Sequence, residues 1–245
     1  MNPISSASIA LAAGMSVVTA APETPRHVVL IHGIWDTMRT LRKMERALAN
    51  AGFEPLVVTL TPNNGRLSLD ALGEQAGAQI SRAIPAGEPF SLVGFSMGGL
   101  VARAYLRQLR DPNRVSAFVS IASPHRGTWT AWCIDNPGVR DMRPGSAFLE
   151  RIDADVARYS HTRWITIRTP LDLMILPSTS SVLPWAENHS VPVLAHPLLV
   201  LDERVIETVV VSLGGKISTK SARARPASPH AGSPQPRSQG TPPPR

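Results

Sequence analysis

Phe90-Ser91-Leu92-Val93-Gly94-Phe95-Ser96-Met97-Gly98-Gly99-Leu100 runs from an apolar strand, through a serine flanked by glycines, into a helical pattern. Phe90 to Val93 has the continuous apolar character of a buried strand. Leu100, Val101, Ala104, Tyr105, Gln108 and Leu109 then recur at helical spacing until Asp111-Pro112 stops them. Between the two lies Gly94-Phe95-Ser96-Met97-Gly98. Glycines on either side of the serine let strand and helix approach closely while the serine takes a strained backbone. Strain of that kind costs about 1–3 kcal/mol and persists where function requires it. The free N–H groups at the helix start add positive potential beside the hydroxyl.

Outward from this turn, β-rich runs alternate with helical ones. His27 to Ile31 reads as a strand, Thr40 to Ala51 as a helix, Phe53 to Thr59 as a strand and Asp70 to Ile84 as a helix. Beyond the serine turn come strands at Val115–Ile121, Trp164–Thr169 and Val191–Leu194, then a helix from Asp202 to Leu213. Apolar strands alternating with helices predict an α/β fold, a mostly parallel sheet with helices on both faces. Active residues on such sheets gather beyond the carboxyl ends of the strands. Residues 128–155 are irregular, contain Trp129, Trp132, Pro137 and Pro144, and read as a small cap over that edge or as a long connection.

A serine hydroxyl needs a base, and the base needs an acid to orient it. In sheets of this kind the chain order is serine, acid, histidine. His125 and His161 precede the best acid, His189 precedes the expected last strand, and His230 lies in the tail, so His196 is the expected base. Asp172 follows Trp164–Thr169 at a strand's carboxyl end and is the expected acid. Asp135, Asp141, Asp153, Asp155 and Glu187 sit in the cap or in connections, where a solvated charge is the default. The oxyanion would be held by the N–H of Met97 and by that of Ile34, in the loop after the first strand, where Gly33 lets the backbone turn inward. His32 reads as a structural hydrogen-bonding residue. Trp35, Trp129, Trp132, Phe148 and Leu149 are candidates for an acyl pocket, although core packing explains each equally well.

Taken together, His32-Gly33-Ile34, Gly94 to Gly99, Ser123-Pro124-His125-Arg126-Gly127-Thr128, Asp172 and His196 resemble the bacterial α/β-hydrolase lipases and esterases of the triacylglycerol-lipase type. The resemblance runs from Arg26 to Leu213. It implies the α/β-hydrolase fold, with carboxylic-ester hydrolysis through an acyl-enzyme on a small-molecule or lipid ester, and no cofactor. Two features depart from the pattern. Phe95 stands where many such lipases carry a histidine or another polar residue, and the cap is shorter than the helical lids of the larger lipases. An acyltransferase, a thioesterase or a lipid-anchor deacylase would use the same three residues, and a non-catalytic binding module on this scaffold is the alternative of another class.

Composition bounds the rest. The 245 residues carry a net charge of +7, but Lys216, Lys220, Arg223, Arg225, Arg237 and Arg245 lie in a terminal stretch without acids. Without those six bases the body is nearly neutral, which argues against nucleic acid as a partner. Residues 215–245 are rich in proline and read as a disordered basic tail, with weak membrane-surface contact as a minor possibility. Residues 1–25 read as a disordered start or a degenerate export signal with a Thr19-Ala20-Ala21 site, since no basic residue precedes Arg26. The domain proper is residues 26–214. Cys133 is the single cysteine and reads as an at least half-buried apolar residue. With no disulfide possible within the chain, a cytoplasmic location is favoured over a secreted or periplasmic one.

Overall fold

The computed structural model describes residues 25–216. The readings made of the N-terminal segment and of the basic tail fall outside the described residues. Six strands, β1 (His27–Ile31), β2 (Glu54–Val58), β3 (Phe90–Phe95), β4 (Val115–Ile121), β5 (Arg163–Arg168) and β6 (Glu187–Ser190), form one sheet in the order β2-β1-β3-β4-β5-β6. Every neighbouring pair is parallel. The helices are α1 (Arg42–Asn50), α2 (Leu69–Ala83), α3 (Met97–Gln108), α4 (Pro137–Asp141), α5 (Ala147–Ala154) and α6 (Glu203–Ser212).

Side-chain alternation along the strands builds two cores, one on each face of the sheet. Val29, Ile31, Phe90, Leu92 and Phe118 face α2 and α3, packing with Leu72, Ala76, Ile80, Leu100 and Val101. Val28, Leu30, Val93, Val119, Ile165 and Ile167 face the other way, toward Met44 and Leu48 of α1 and Val205 and Val209 of α6. Because both faces are covered, the central strands are buried and mostly apolar, and that makes them readable. Helix starts follow local chemistry: Ser68 accepts from the Ala71 N–H, Ser146 from Leu149 and Asp202 from Arg204. Among the described residues no helix is long and apolar enough to cross a membrane.

Three expectations need correcting. The last strand is not Val191–Leu194 but the polar run Glu187–Ser190. β6 pairs with β5 on one side only, so its side chains are largely exposed and carry no apolar signal. Val191 donates one further bond to the Arg168 carbonyl, and Pro192, lacking an N–H, ends the ladder. The Thr169 hydroxyl then takes over, donating to the Val193 carbonyl at 2.7 Å and accepting from its N–H at 3.1 Å.

Cys133 is exposed, not buried, because only Ala131 of the short turn Trp129–Trp132 packs inward. The segment 128–155 also divides. Its first part, through α4, lies over the carboxyl edge, whereas α5 packs Phe148, Leu149 and Ile152 into the core shared with α3. Phe148 and Leu149 are therefore core residues and not pocket residues. Phe148→Ala should lower stability by about 3–5 kcal/mol, and Trp129→Ala, at an exposed position, by about 0.5 kcal/mol or less. Urea denaturation of the two variants checks this contrast.

Candidate active site

Ser96 sits on the sharp turn between β3 and α3 with φ 54° and ψ −124°, a left-handed conformation that a residue with a side chain rarely adopts. The turn is locked from three sides. The Ser96 N–H donates to the Ile121 carbonyl at 2.8 Å, tying it to the end of β4. A Cβ at Gly94 would run into the backbone of Gly99, and one at Gly98 into the Ile31 carbonyl oxygen. Only glycine at these two places lets α3 start directly against β1 and β3. No side chain caps α3; the Gly99 N–H turns back to the Ser96 carbonyl at 3.2 Å, and the Met97 N–H is left facing the serine turn.

Trp35 and Ala122 share the unusual backbone, with φ 55° and 47°. All three such residues follow the carboxyl ends of β1, β3 or β4, so the described non-glycine strain is gathered at one edge.

The loop after β1 lies against the serine. A Cβ on Gly33 would come within 3.1 Å of the Ser96 Cβ, so the Gly33 and Ser96 backbones are nearly in contact. His32 props this loop: Leu60 donates its N–H to His32 Nε2 at 3.2 Å, and Nδ1 lies 2.9 Å from the Gly33 carbonyl. Among the described residues neither the Ile34 nor the Met97 N–H donates to a protein acceptor. Both groups are therefore available to an oxyanion at Ser96.

Asp172 and His196 meet in a buried pair, each 4% exposed. His196 Nδ1 and Asp172 Oδ2 are 2.8 Å apart, while Asp172 Oδ1 accepts the N–H groups of Met174 and Ile175, each at 2.9 Å. When Nδ1 donates to the Asp172 carboxylate, Nε2 is left as the acceptor of the ring. Nε2 is buried and has no protein partner. The Phe95 ring lies 5.0 Å from the imidazole, so the apolar residue beside the serine packs on the histidine. Ser96 Oγ and His196 Nε2 are not hydrogen-bonded to each other, which is common before a substrate tightens such a site.

The other candidates are elsewhere. His161 is exposed in a turn and His189 lies on β6, beside Glu187. His125 is completely buried, with Nε2 2.7 Å from the Ser120 hydroxyl. Asp135, Asp153 and Asp155 pair with arginines, and Asp141 caps the Leu69 N–H. Among the described residues no group of three His, Cys, Asp or Glu side chains could hold a metal ion.

A cavity of about 150 Å³ opens beside Ser96. Its walls come from Ile34 and Trp35 after β1, Ala131 and Ile134 in the cap, Val139 and Met142 around α4, and Leu173 to Ile175 after β5. Of the expected acyl-pocket residues, Trp35 is in the wall. Trp129, 62% exposed, and Phe148 are not. The cap and β5-loop residues that complete it went unnoticed in the sequence, although the apolar run Leu173-Met174-Ile175 directly after Asp172 was a usable signal. Thr128 and Thr130 also contribute, and both donate to the Met174 carbonyl, at 2.9 and 2.7 Å. The cap is thereby fastened to the loop that carries the acid.

Burial, reinforced by the nearby Arg103 charge, holds the His125 imidazole well below its usual range. It is neutral in the fold, whereas the unfolded chain protonates it near pH 6.5. Below that pH the unfolded state binds the extra proton, so stability falls as pH falls, by up to about 1.4 kcal/mol per unit from this residue. Denaturation at pH 7.5, 6.5 and 5.5 should show His125→Gln with a smaller acid-side loss than the wild type.

The palmitoyl protein thioesterase family matches residues 27–162. That span includes Ile34, Ser96 and Met97 and ends before Asp172 and His196. Lysosomal thioesterase PPT2 of the mouse is 31% identical over 121 residues, 46% of this chain and 40% of that protein. The human protein of the same name is 31% identical over 106 residues, 42% of this chain and 35% of that one. The chain thus spans well under half the length of these curated relatives. Among solved structures, a Bacillus licheniformis lipase in its mature form superposes with a TM-score of 0.64 at 16% identity, over 81% of this chain and 96% of that one. Aspergillus fumigatus lipase B gives 0.67 at 15% identity, over 82% and 55%. At these identities the likeness is one of fold, and the fold is that of the α/β-hydrolases.

Proposed function

From the premise that this chain belongs to the palmitoyl protein thioesterase family, we propose that it hydrolyses acyl thioesters through an acyl-enzyme on Ser96. The observation that carries this reading is the buried Asp172–His196 pair at 2.8 Å. It lies outside the span matched to the family, yet it occupies the carboxyl edge on which the elbow sits. Oxygen esters come first on the sequence alone; the family match moves thioesters ahead of them.

In the proposed reaction, Ser96 Oγ attacks the thioester carbonyl carbon while His196 Nε2 takes its proton. Asp172 holds the imidazole in the required tautomer and stabilises the imidazolium. The N–H groups of Ile34 and Met97 hold the tetrahedral oxyanion. Collapse breaks the carbon–sulfur bond, and the sulfur takes the proton from His196 and leaves as the thiol, which returns the imidazole to its basic form. Water then adds to the acyl-enzyme with His196 as base, releasing the carboxylic acid and restoring the serine hydroxyl.

Labelling by a fluorophosphonate probe should occur in the wild type and vanish in Ser96→Ala. Thiol release from an acyl-thioester should fall about 10⁴–10⁶-fold in Ser96→Ala and His196→Ala and about 10⁴-fold in Asp172→Asn. Equal labelling of wild type and Ser96→Ala would sink the reading. Matched thioester and p-nitrophenyl oxygen-ester substrates then decide the bond, and a higher kcat/KM on the oxygen ester would return the assignment to an esterase.

Gly33→Ala tests the oxyanion role. The added methyl presses on the Ser96 Cβ and shifts the loop bearing the Ile34 N–H. We expect kcat to drop by up to about 10²–10³, the scale of losing one donor, with KM little changed.

A further inference from the structure

The cavity beside Ser96 is small, closed on one side and rigidly built, and these three properties together set a length for the acyl chain. Its volume is about 150 Å³. An apolar protein cavity of about 150 Å³ takes up benzene, a six-carbon ring, at about 25 Å³ per carbon, so this one takes about five carbons beyond the carbonyl. Val139 and Met142, both buried in the core, close it on the cap side. On the mouth side Trp35 and Leu173 are 56% and 79% exposed, so a longer chain leaves the cavity onto a solvent-facing rim.

The walls are not free to swing open. Thr128 Oγ1 receives the Leu176 N–H at 2.9 Å and donates to the Met174 carbonyl, while Trp129 donates its N–H to the Leu176 carbonyl at 2.9 Å. The Thr128 N–H reaches the Met142 carbonyl at 2.8 Å, and Arg143 donates to the Ala131 and Ile134 carbonyls. On the far side Gly138 donates to the Gly65 carbonyl at 2.8 Å, and the Leu69 N–H to Asp141 at 2.8 Å. The cap is stitched to the β5 loop at one end and to the segment before α2 at the other. Displacing it would break these bonds together.

We infer that the site is selective for short acyl chains of up to about six carbons, with Val139 and Met142 as the residues that set the limit. The inference rests on Ser96 being the acyl-accepting group proposed above, but not on whether the bond cleaved is a thioester or an oxygen ester. Palmitoyl groups would place most of their length outside the cavity.

The test is a chain-length series from acetyl to palmitoyl, kept below micelle-forming concentrations. It is run as acyl-coenzyme A thioesters, as p-nitrophenyl esters, and as p-nitrophenyl alkylphosphonates that inactivate the serine. In whichever series reacts, the rate constant should rise about fourfold per methylene as far as hexanoyl, the gain from burying each group, and then stay flat or fall. A rise continuing to palmitoyl overturns the inference. A break at hexanoyl with oxygen esters alone keeps it and overturns the thioester reading, and no reaction in any series overturns both.

Met142→Ala should move the break outward by about three carbons and Val139→Ala by about one or two, at the volume per group used above. An unmoved break in variants whose thermal melts show them folded removes these residues from the limit. Should neither variant fold, the wild-type series still decides.

Discussion

Everything at the site depends on the close approach of α3 to β1 and β3 at Gly94 and Gly98. That approach forces Ser96 into a left-handed backbone at a cost of about 1–3 kcal/mol, and only a large, well-packed surround can hold it there. The surround is the double core: β1 and β3 are interior strands of the sheet, buried on both faces, and α3 is buried along most of its length. The cost of the strain is set at one edge and offset across the whole sheet. A methyl group at either glycine would press on main chain that has nowhere to move, so the turn has no softer alternative geometry.

The same edge explains why residues far apart in sequence meet. Parallel strands deliver their carboxyl ends side by side, and the chain leaving β3, β4 and β6 is each time tied to a neighbouring strand by one backbone bond. Ser96 donates to Ile121, Ala122 to Ile167 and Val191 to Arg168. This staircase carries the chain from the serine to the loop bearing Asp172 and on to the segment bearing His196. The acid is rigid because its second oxygen is occupied by two N–H groups of its own loop, leaving one oxygen for the histidine. A carboxylate so buried needs hydrogen-bond donors on both oxygens, and Asp172 has two on Oδ1 and the histidine on Oδ2.

What could be read in the sequence follows from burial on two faces. Strands β1, β3, β4 and β5 have apolar centres, and their limits were legible to within two residues. β6 was not, because an edge strand is held by backbone bonds that leave its side chains free to be polar, as Glu187-Asn188-His189-Ser190 are. The chain order of Ser96, Asp172 and His196 survives that error, since His196 follows both the expected strand and the actual one. The pocket was legible only at Trp35, Ile34 having been read as an oxyanion donor. Its remaining walls come from three separated segments, and no periodicity relates Ala131, Val139 and Leu173 to one another. Phe148 misled for the converse reason: an aromatic residue in the cap segment looks the same whether its helix faces the cavity or the core.

The fastening of the cap also bears on how substrate reaches Ser96. A lid that opens at a lipid surface must exchange its contacts with the body for contacts with lipid, so those contacts have to be weak or apolar. Here they are main-chain hydrogen bonds, together with threonine hydroxyls that would lose their partners on opening. A buried donor or acceptor left unpaired costs about 1–3 kcal/mol, and Thr128 alone, 4% exposed, has its hydroxyl bonded to both the carbonyl of Met174 and the N–H of Leu176. Opening would also pull on the loop whose N–H groups hold Asp172. The acid and the pocket wall are one piece of backbone, so the site cannot loosen its walls without loosening its acid. In the proposed reaction, selectivity for the acyl group and orientation of His196 would therefore be set by the same few bonds.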